Sequence, residues 1–147
     1  MPLDLKAKII QINDWPNPGI VCFDISPLLQ DPDYFQQIIE ALAEPYLGQP
    51  IDVVAGIEAR GFVLAGALAR RLGSGVVMIR KKGKSPRETI AQEYSYEYAA
   101  NVIEINTDAI KKGQRVVLVD DILATGGTMS AAVKLVNRLG GGIAGIS

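Results

Sequence analysis

Histidine is absent from the 147-residue chain, and cysteine occurs once, at Cys22. Without histidine the chain lacks the commonest general base and metal ligand, so catalysis would have to use carboxylates, Lys, Arg, Tyr, backbone groups or a bound ion. A single cysteine excludes an internal disulfide framework and a thiolate metal cluster within this sequence. The acidic and basic side chains are therefore the main candidates for catalysis.

The chain also lacks an excess of charge and a long apolar run. Its net charge of −1 gives no general attraction to nucleic acids or acidic membranes. The longest apolar stretch, residues 61–69, is far too short to cross a bilayer. Residues 1–12 alternate charged and apolar side chains, unlike a signal peptide. We therefore expect a cytoplasmic protein that binds neither nucleic acid nor membrane.

The pattern of apolar residues predicts an α/β fold. Short runs that suit buried strands occur at 51–55, 75–79, 116–119 and 143–147, and helical patterns at 61–72 and 127–139 lie between them. This alternation predicts one domain over residues 1–147, with a doubly wound, mostly parallel open sheet and helices on both faces.

The remaining segments give weaker patterns. We expect a short amphipathic helix over 3–12, a strand over 20–25, and a helix from Asp31 or Asp33 to about Leu47. Residues 80–92 are polar and basic without periodicity, which predicts an irregular loop. Residues 94–98 and 101–105 alternate as half-exposed strands do.

The most informative segment is 116–128, with the sequence VVLVDDILATGGT. Four apolar residues suit a buried parallel strand, and Asp120 and Asp121 come where that strand should end. The glycine-rich turn that follows leads into a helix, whose N-terminus attracts anions. Carboxylates would repel a phosphate, so they need another partner, such as ribose hydroxyls or hydrated Mg²⁺. The segment therefore indicates a site for a phosphorylated sugar.

Each of the supporting motifs also has a purely structural interpretation. The acidic pair could be solvated, although a hydrophobic run, two Asp and TGGT in this order favour the sugar site. Residues 56–62 (GIEARGF) could wrap backbone N–H groups and Arg60 around a diphosphate, or could be a turn with a surface Arg. Residues 80–84 (RKKGK) could be a solvated charged face or the start of a lid.

The tyrosine-rich segment 93–98 (EYSYEY) allows two interpretations as well. Its alternation would satisfy an edge strand without any function. The functional alternative is a lid, over about residues 82–98, that presents Glu97 and Tyr98 to the base being transferred.

These motifs, together with 15–19 (WPNPG) and 24–29 (DISPLL), resemble the type I phosphoribosyltransferases, and among them the adenine phosphoribosyltransferases. The resemblance covers nearly the whole chain in order. It implies transfer of the phosphoribosyl group from phosphoribosyl pyrophosphate to adenine, giving AMP and pyrophosphate. It also implies Mg²⁺ held through substrate and water without direct protein ligands, and a homodimer. Two alternatives remain: another purine base, or a regulator that binds phosphoribosyl pyrophosphate without catalysis.

The resemblance assigns roles to individual residues. For the sugar and its leaving group, the assigned residues are Asp120 and Asp121 for the ribose, Arg60 and Lys84 for pyrophosphate, Arg80 toward a neighbouring subunit, and Ala124, Thr125, Gly126, Gly127 and Thr128 for the 5′-phosphate. For the base, the assigned residues are Glu97 for proton handling, Tyr98 for contact, Ile122 and Leu123 for stacking, and the backbone near Val21 and Phe23 for recognition.

The resemblance carries one geometric implication and two departures. It implies a cis peptide between Glu58 and Ala59. Phe23 occupies a place where the family commonly has Arg, which puts a secondary base contact in doubt. By family comparison, a C-terminal strand and tail would be missing after residue 147, which could expose a sheet edge.

Overall fold

The computed structural model describes residues 2–96 and 99–147, apart from the side chains of Tyr96 and Ala99. The chain divides into two compact units, residues 1–42 and 43–147. Glu97 and Tyr98, both assigned to the base by resemblance, lie outside the described residues.

The first unit contains a two-stranded antiparallel sheet and two helices. Strand β1 (Ile10–Asn13) pairs with β2 (Val21–Asp24), and α1 (Ser26–Gln30) and α2 (Pro32–Ala43, which runs one residue into the second unit) follow. The Asp31 carboxylate accepts a hydrogen bond from the backbone N–H of Asp33 at 3.1 Å, so Asp31 caps α2, one of the two caps predicted.

The second unit is a six-stranded sheet in the order β5-β6-β4-β3-β7-β8 with two helices. Its strands are β3 (Val53–Ile57), β4 (Gly75–Lys81), β5 (Thr89–Tyr96), β6 (Ala99–Asn106), β7 (Arg115–Val119) and β8 (Gly142–Ile146). Helix α3 (Arg60–Leu72) follows β3, and α4 (Gly127–Arg138) follows β7. Strands β4, β3, β7 and β8 are parallel, whereas β5 and β6 form an antiparallel hairpin at one edge. The doubly wound, mostly parallel fold is confirmed.

The two helices cover opposite faces of this sheet. On one face, a Cβ placed on Gly56 would come within 2.7 Å of the Ala65 Cβ, so α3 packs directly on β3. Side chains alternate along a strand, and the neighbouring Ala55 faces the other way, into a core with Leu118 and Leu135 of α4. The main apolar core therefore lies between α4 and the sheet.

Three local expectations differ from the structure. Residues 3–12 contain only a short 3₁₀ helix at Leu5–Lys8, and Ile10–Asn13 is a strand because it pairs along β2. The strand expected over 20–25 ends at Asp24, and α1 begins at Ser26, with Pro27 in the first turn where a missing N–H costs nothing. The irregular segment 80–92 is shorter than expected, because β4 continues to Lys81 and β5 starts at Thr89.

Among the helices in the described parts of the chain, none is both long and apolar enough to cross a membrane.

Candidate active site

A cavity of about 460 Å³ lies at the carboxyl ends of β3 and β7, where α3 and α4 begin. Ligands of open α/β sheets bind at this edge. Most of its wall comes from the two segments that the sequence singled out, residues 57–60 and 120–129. Its other lining residues come from β4, β5 and β6: Lys81, Tyr94, Asn101 and Ile103.

The acidic pair lies in the wall of the cavity. Asp120 directly follows β7, whose residues Val116 to Val119 are fully buried, and its Oδ1 accepts a hydrogen bond from the Asp121 N–H at 2.9 Å. Burial, and then the neighbouring Asp121 carboxylate, raise the pKa of Asp120 to about 7, while Arg60 lowers it. One of the two acids is thus poised to change its charge near neutral pH.

Arg60 connects the two sides of the cavity. It is the first residue of α3, and its Nε donates a hydrogen bond to Asp121 Oδ2. The Asp121 side chain is 6% exposed, whereas the Arg60 side chain is 51% exposed. The guanidinium therefore contacts the acid with one edge and keeps the rest accessible from the cavity.

The start of α4 is built for an anion. Gly126, at φ +82°, is the N-cap, so the N-cap residue has no side chain that could cap the helix. The Gly127 N–H donates to Thr125 Oγ1 at 3.3 Å, which shapes the turn. Amide groups of the first helical turn have no partner inside the helix, and the helix dipole adds positive potential there. Residues 124–128, predicted to bind the 5′-phosphate, all line the cavity at this point.

The loop after β3 has the predicted unusual backbone. The Glu58–Ala59 peptide is cis, as the resemblance implied. The Glu58 N–H donates to the Ile79 carbonyl at 2.9 Å, and its Oε2 accepts from the Lys81 N–H at 2.8 Å. Glu58 therefore joins this loop to the end of β4.

The basic run is divided between two cavities. Lys81 lines the cavity described above, whereas Arg80 lines a second cavity of about 500 Å³ with Val76 and Met78. Lys84 is exposed and lines neither. Arg80 Nε is buried without a hydrogen-bond partner among the described residues.

The residues assigned to the base are spread over the chain. Ile122 and Leu123 line the cavity and are exposed. Val21 and Phe23 are exposed residues of β2, in register with Asn13 and Gln11 in the first unit.

Sequence reasoning missed Lys81, Tyr94 and Asn101 as lining residues. A signal for Lys81 was present, because Val77, Ile79 and Lys81 alternate along one face of β4 and the first two are buried. Extending the strand by two residues would have placed Lys81 on the cavity side. Tyr94 and Asn101 occupy register partners across β5 and β6, a pairing that no local pattern reveals.

Residues 25–146 match the model of the phosphoribosyl transferase domain family. The chain belongs to this family. It is 53% identical over 141 residues to the adenine phosphoribosyltransferase of Parvibaculum lavamentivorans, covering 96% of this chain and 81% of that protein.

Solved structures of family members have the same fold. The adenine phosphoribosyltransferase of Rhodothermus marinus superposes with a TM-score of 0.94 at 48% identity, covering 97% of this chain and 81% of that one. The Saccharomyces cerevisiae enzyme, crystallised with adenine and an imino-altritol bisphosphate, gives 0.88 at 37% identity, with coverage of 97% and 86%. The membership that the motifs indicated is therefore confirmed.

Proposed function

We propose that this phosphoribosyltransferase transfers the phosphoribosyl group from phosphoribosyl pyrophosphate to adenine, giving AMP and pyrophosphate. The observation that carries the proposal is a single cavity that combines an uncapped helix N-terminus, an acidic pair and two cations, Arg60 and Lys81. The names of its relatives support adenine as the base.

The 5′-phosphate is assigned to the turn before α4. Residues 124–128 offer backbone N–H groups, the Thr125 and Thr128 hydroxyls and the positive end of the helix dipole. No acidic residue occurs in the first turn of the helix, so nothing there opposes a dianion. The phosphate would fix the ribose within reach of Asp120 and Asp121 at the end of β7.

The reaction breaks the bond between the anomeric carbon and pyrophosphate, which leaves with the bonding electrons. A ring nitrogen of adenine then forms the new bond to that carbon and loses its proton. Asp120 and Asp121 accept hydrogen bonds from the ribose hydroxyls and stabilise the positive charge that develops on the ring. Arg60 and Lys81, with Lys84 from the adjoining loop, stabilise the negative charge of the leaving pyrophosphate.

The adenine base is assigned to residues that the family resemblance names for it. Adenine stacks on Ile122 and Leu123, with Tyr98 as a further contact and Glu97 as the group that handles its proton. Residues 82–98 are the proposed lid, which would exclude water from a reactive sugar centre.

Mg²⁺ is the expected cofactor, held through substrate and water as the resemblance implies. Within the described parts of the chain, no three acidic, His or Cys side chains converge to form a metal cage. Mg²⁺ usually keeps several waters and binds substrate phosphates, so an ion on the diphosphate would meet Asp120 and Asp121 through its water ligands. When bound, the ion would neutralise part of the pyrophosphate charge.

We further propose a homodimer, with the cytoplasm as its location. Val76 and Met78, on the α3 face of β4, are 47% and 52% exposed and line the second cavity with Arg80. Covering these apolar side chains with a second copy would bury them and bring Arg80 to the neighbouring subunit. Sedimentation of the wild type and of Met78→Glu tests this, since a charge on the interface should give monomers.

Pyrophosphate release tests the reaction. Protein, Mg²⁺ and phosphoribosyl pyrophosphate are mixed with adenine, hypoxanthine, guanine or xanthine in separate reactions. Release with adenine alone is expected. Release with another purine only would change the assigned base, and binding of phosphoribosyl pyrophosphate without release with any base would identify a regulator. Asp121→Asn is the inactive control, and Asp33→Asn, an exposed acid that lines neither cavity, is the active one.

A further inference from the structure

Among the described residues, Glu104 is the one charged residue that is buried as a whole, with 5% of its surface exposed. It lies in β6, directly opposite Arg80 of β4 and Ala91 of β5. Charged side chains are almost never fully buried without partners, so its contacts need an explanation.

The partners of Glu104 are backbone groups of the basic loop. Its Oε1 accepts hydrogen bonds from the N–H of Gly83 at 3.1 Å and of Ser85 at 2.9 Å, and its Oε2 accepts from Thr89 Oγ1 at 3.4 Å. Burial acts to raise the pKa of Glu104, but the hydrogen bonds donated by Ser85, Gly83 and Thr89 outweigh it and hold the pKa below its ordinary value. The group is therefore an ionised carboxylate at neutral pH.

These contacts fold the loop around the carboxylate. Gly83 has φ +86°, and the Lys84 N–H donates to the Lys81 carbonyl at 3.2 Å, so the chain turns tightly between Lys81 and Ser85. Two N–H groups two residues apart converge on one oxygen, as in the backbone concavities that bind anions. Glu104 thus occupies the inner side of the turn.

The arrangement leaves the ammonium groups of the loop available. Glu104 is satisfied by backbone N–H groups and a hydroxyl, and in the described parts of the chain no salt bridge joins Lys81, Lys82 or Lys84 to an acid. Lys82 and Lys84 are exposed, and Lys81 lines the cavity. The turn therefore presents cations outward from a backbone that a buried anion holds in place.

We propose that Glu104 is a positioning residue for the diphosphate of phosphoribosyl pyrophosphate. It contacts no substrate; by holding the Gly83 and Ser85 amides it fixes the turn that directs Lys81 and Lys84 toward the leaving group. This inference rests on the proposed function. Its consequence is that Glu104 controls the affinity for phosphoribosyl pyrophosphate much more than the affinity for adenine or the maximal rate.

Replacing the carboxylate tests the role directly. Glu104→Ala removes both acceptors, and affinity for Mg²⁺–phosphoribosyl pyrophosphate, measured by calorimetry without adenine, should fall about tenfold or more. Glu104→Gln keeps an oxygen that can accept from both amides and should recover most of this affinity. In steady-state assays, KM for phosphoribosyl pyrophosphate should rise in Glu104→Ala, while KM for adenine and kcat stay within about threefold of wild type.

A second variant covers the case in which Glu104→Ala does not fold. Gly83→Ala leaves the carboxylate intact but strains the turn, because Gly83 has a positive φ that alanine rarely adopts. No atom lies within 4 Å of the added Cβ, so the substitution causes no steric clash. Gly113→Ala is the matched control, with φ +85° and equally open surroundings in the turn before β7. Gly83→Ala should weaken substrate binding, and Gly113→Ala should lower only the melting temperature.

The outcomes separate the two proposals. Wild-type protein that binds no phosphoribosyl pyrophosphate refutes the proposed function itself. Wild-type binding that folded Glu104→Ala leaves unchanged overturns the positioning role. A fall in kcat together with similar rises in both KM values, without rescue by Glu104→Gln, would assign Glu104 to general stability. This result would also overturn the positioning role. If Glu104→Ala is unfolded, unchanged affinity in Gly83→Ala has the same effect.

Discussion

Arg60 Nε donates a hydrogen bond to Asp121 Oδ2, so the first residue of α3 is bonded to the acid that follows β7. The contact depends on close packing, because a Cβ on Gly61 would lie 3.2 Å from both Asp120 Oδ1 and the Val119 carbonyl oxygen. A diphosphate in the cavity would compete with Asp121 for the same guanidinium. Arg60 therefore balances the charge of the acidic pair and is also placed to meet the leaving group.

Replacing Asp120 or Asp121 by Asn should reduce turnover by ~10²-fold or more, because the amide cannot stabilise positive charge on the ribose ring. Turnover is measured as pyrophosphate release at saturating substrates, with the fold checked by circular dichroism. Asp33→Asn is the control, since Asp33 is exposed and lines neither cavity. A double Asn variant with near-normal turnover would remove the carboxylates from the mechanism.

The contribution of Asp120 to the stability of the folded state should fall as pH rises from about 4 to about 7. The pKa of Asp120 is about 7 in the folded protein against 3.8 ordinarily, so in this window the folded state binds a proton that the unfolded state has lost. Asp120→Asn removes the penalty and should melt at a higher temperature than wild type at pH 8, with the difference vanishing near pH 4. Melting curves at several pH values measure it.

Asp108→Asn provides the opposite sign in the same experiment. Arg87 lowers the pKa of Asp108, so that acid stabilises the folded state above its ordinary pKa and loses its contribution as pH falls. The variant should melt slightly lower than wild type at pH 8. If Asp120→Asn also melted lower at pH 8 and the gap failed to close at pH 4, the raised pKa would be contradicted.

Gly56→Ala should destabilise the protein by about 1–3 kcal/mol or more, because its Cβ would lie 2.5 Å from the Gly61 carbonyl oxygen and backbone must move. Gly66→Ala, in the same helix that Gly56 packs against, meets no atom within 4 Å and should be neutral or stabilising by up to about 1 kcal/mol. Urea unfolding of both variants gives the comparison. Equal stability of the two would show that α3 can move away from β3 at little cost.

Lys81→Ala should raise KM for phosphoribosyl pyrophosphate by about tenfold or more, because a charge-assisted contact to the diphosphate is lost. Lys82→Ala removes the same charge from the next residue, which does not line the cavity, and should have a much smaller effect. Initial rates at varied phosphoribosyl pyrophosphate separate the two. Equal effects would mean that the loop acts by net charge alone.

The parts of the fold that sequence predicted are those with local patterns. A short run of consecutive apolar residues such as 116–119 indicates a buried strand by itself. The acidic pair directly follows this strand, so its position was also predictable. The prediction for 3–12 was wrong because Leu5, Ile9 and Ile12 have helical spacing, whereas Ile10 and Ile12 have the spacing of a strand. Only pairing with β2 decides between them.

The rest of the site depends on contacts between distant residues. Glu104 holds a loop about 20 residues earlier in the chain, and its burial follows from the position of β6 between β4 and β5. The resemblance assigned Lys84 to pyrophosphate, and Lys81 was missed because the segment from Arg80 onward looked irregular. Pairing with β6 extends β4 to Lys81. Such pairings leave no periodic trace in the sequence.

Gly145 can be replaced by a larger residue only if Tyr46 becomes smaller. The Tyr46 hydroxyl lies 2.9 Å from Ser147 Oγ, and a Cβ on Gly145 would come within 2.3 Å of that hydroxyl oxygen. A library randomised at both positions should therefore yield folded clones with an aromatic residue at 46 only when 145 stays glycine. Larger residues at 145 should appear with a small side chain at 46, so that among diverging sequences the two positions would covary.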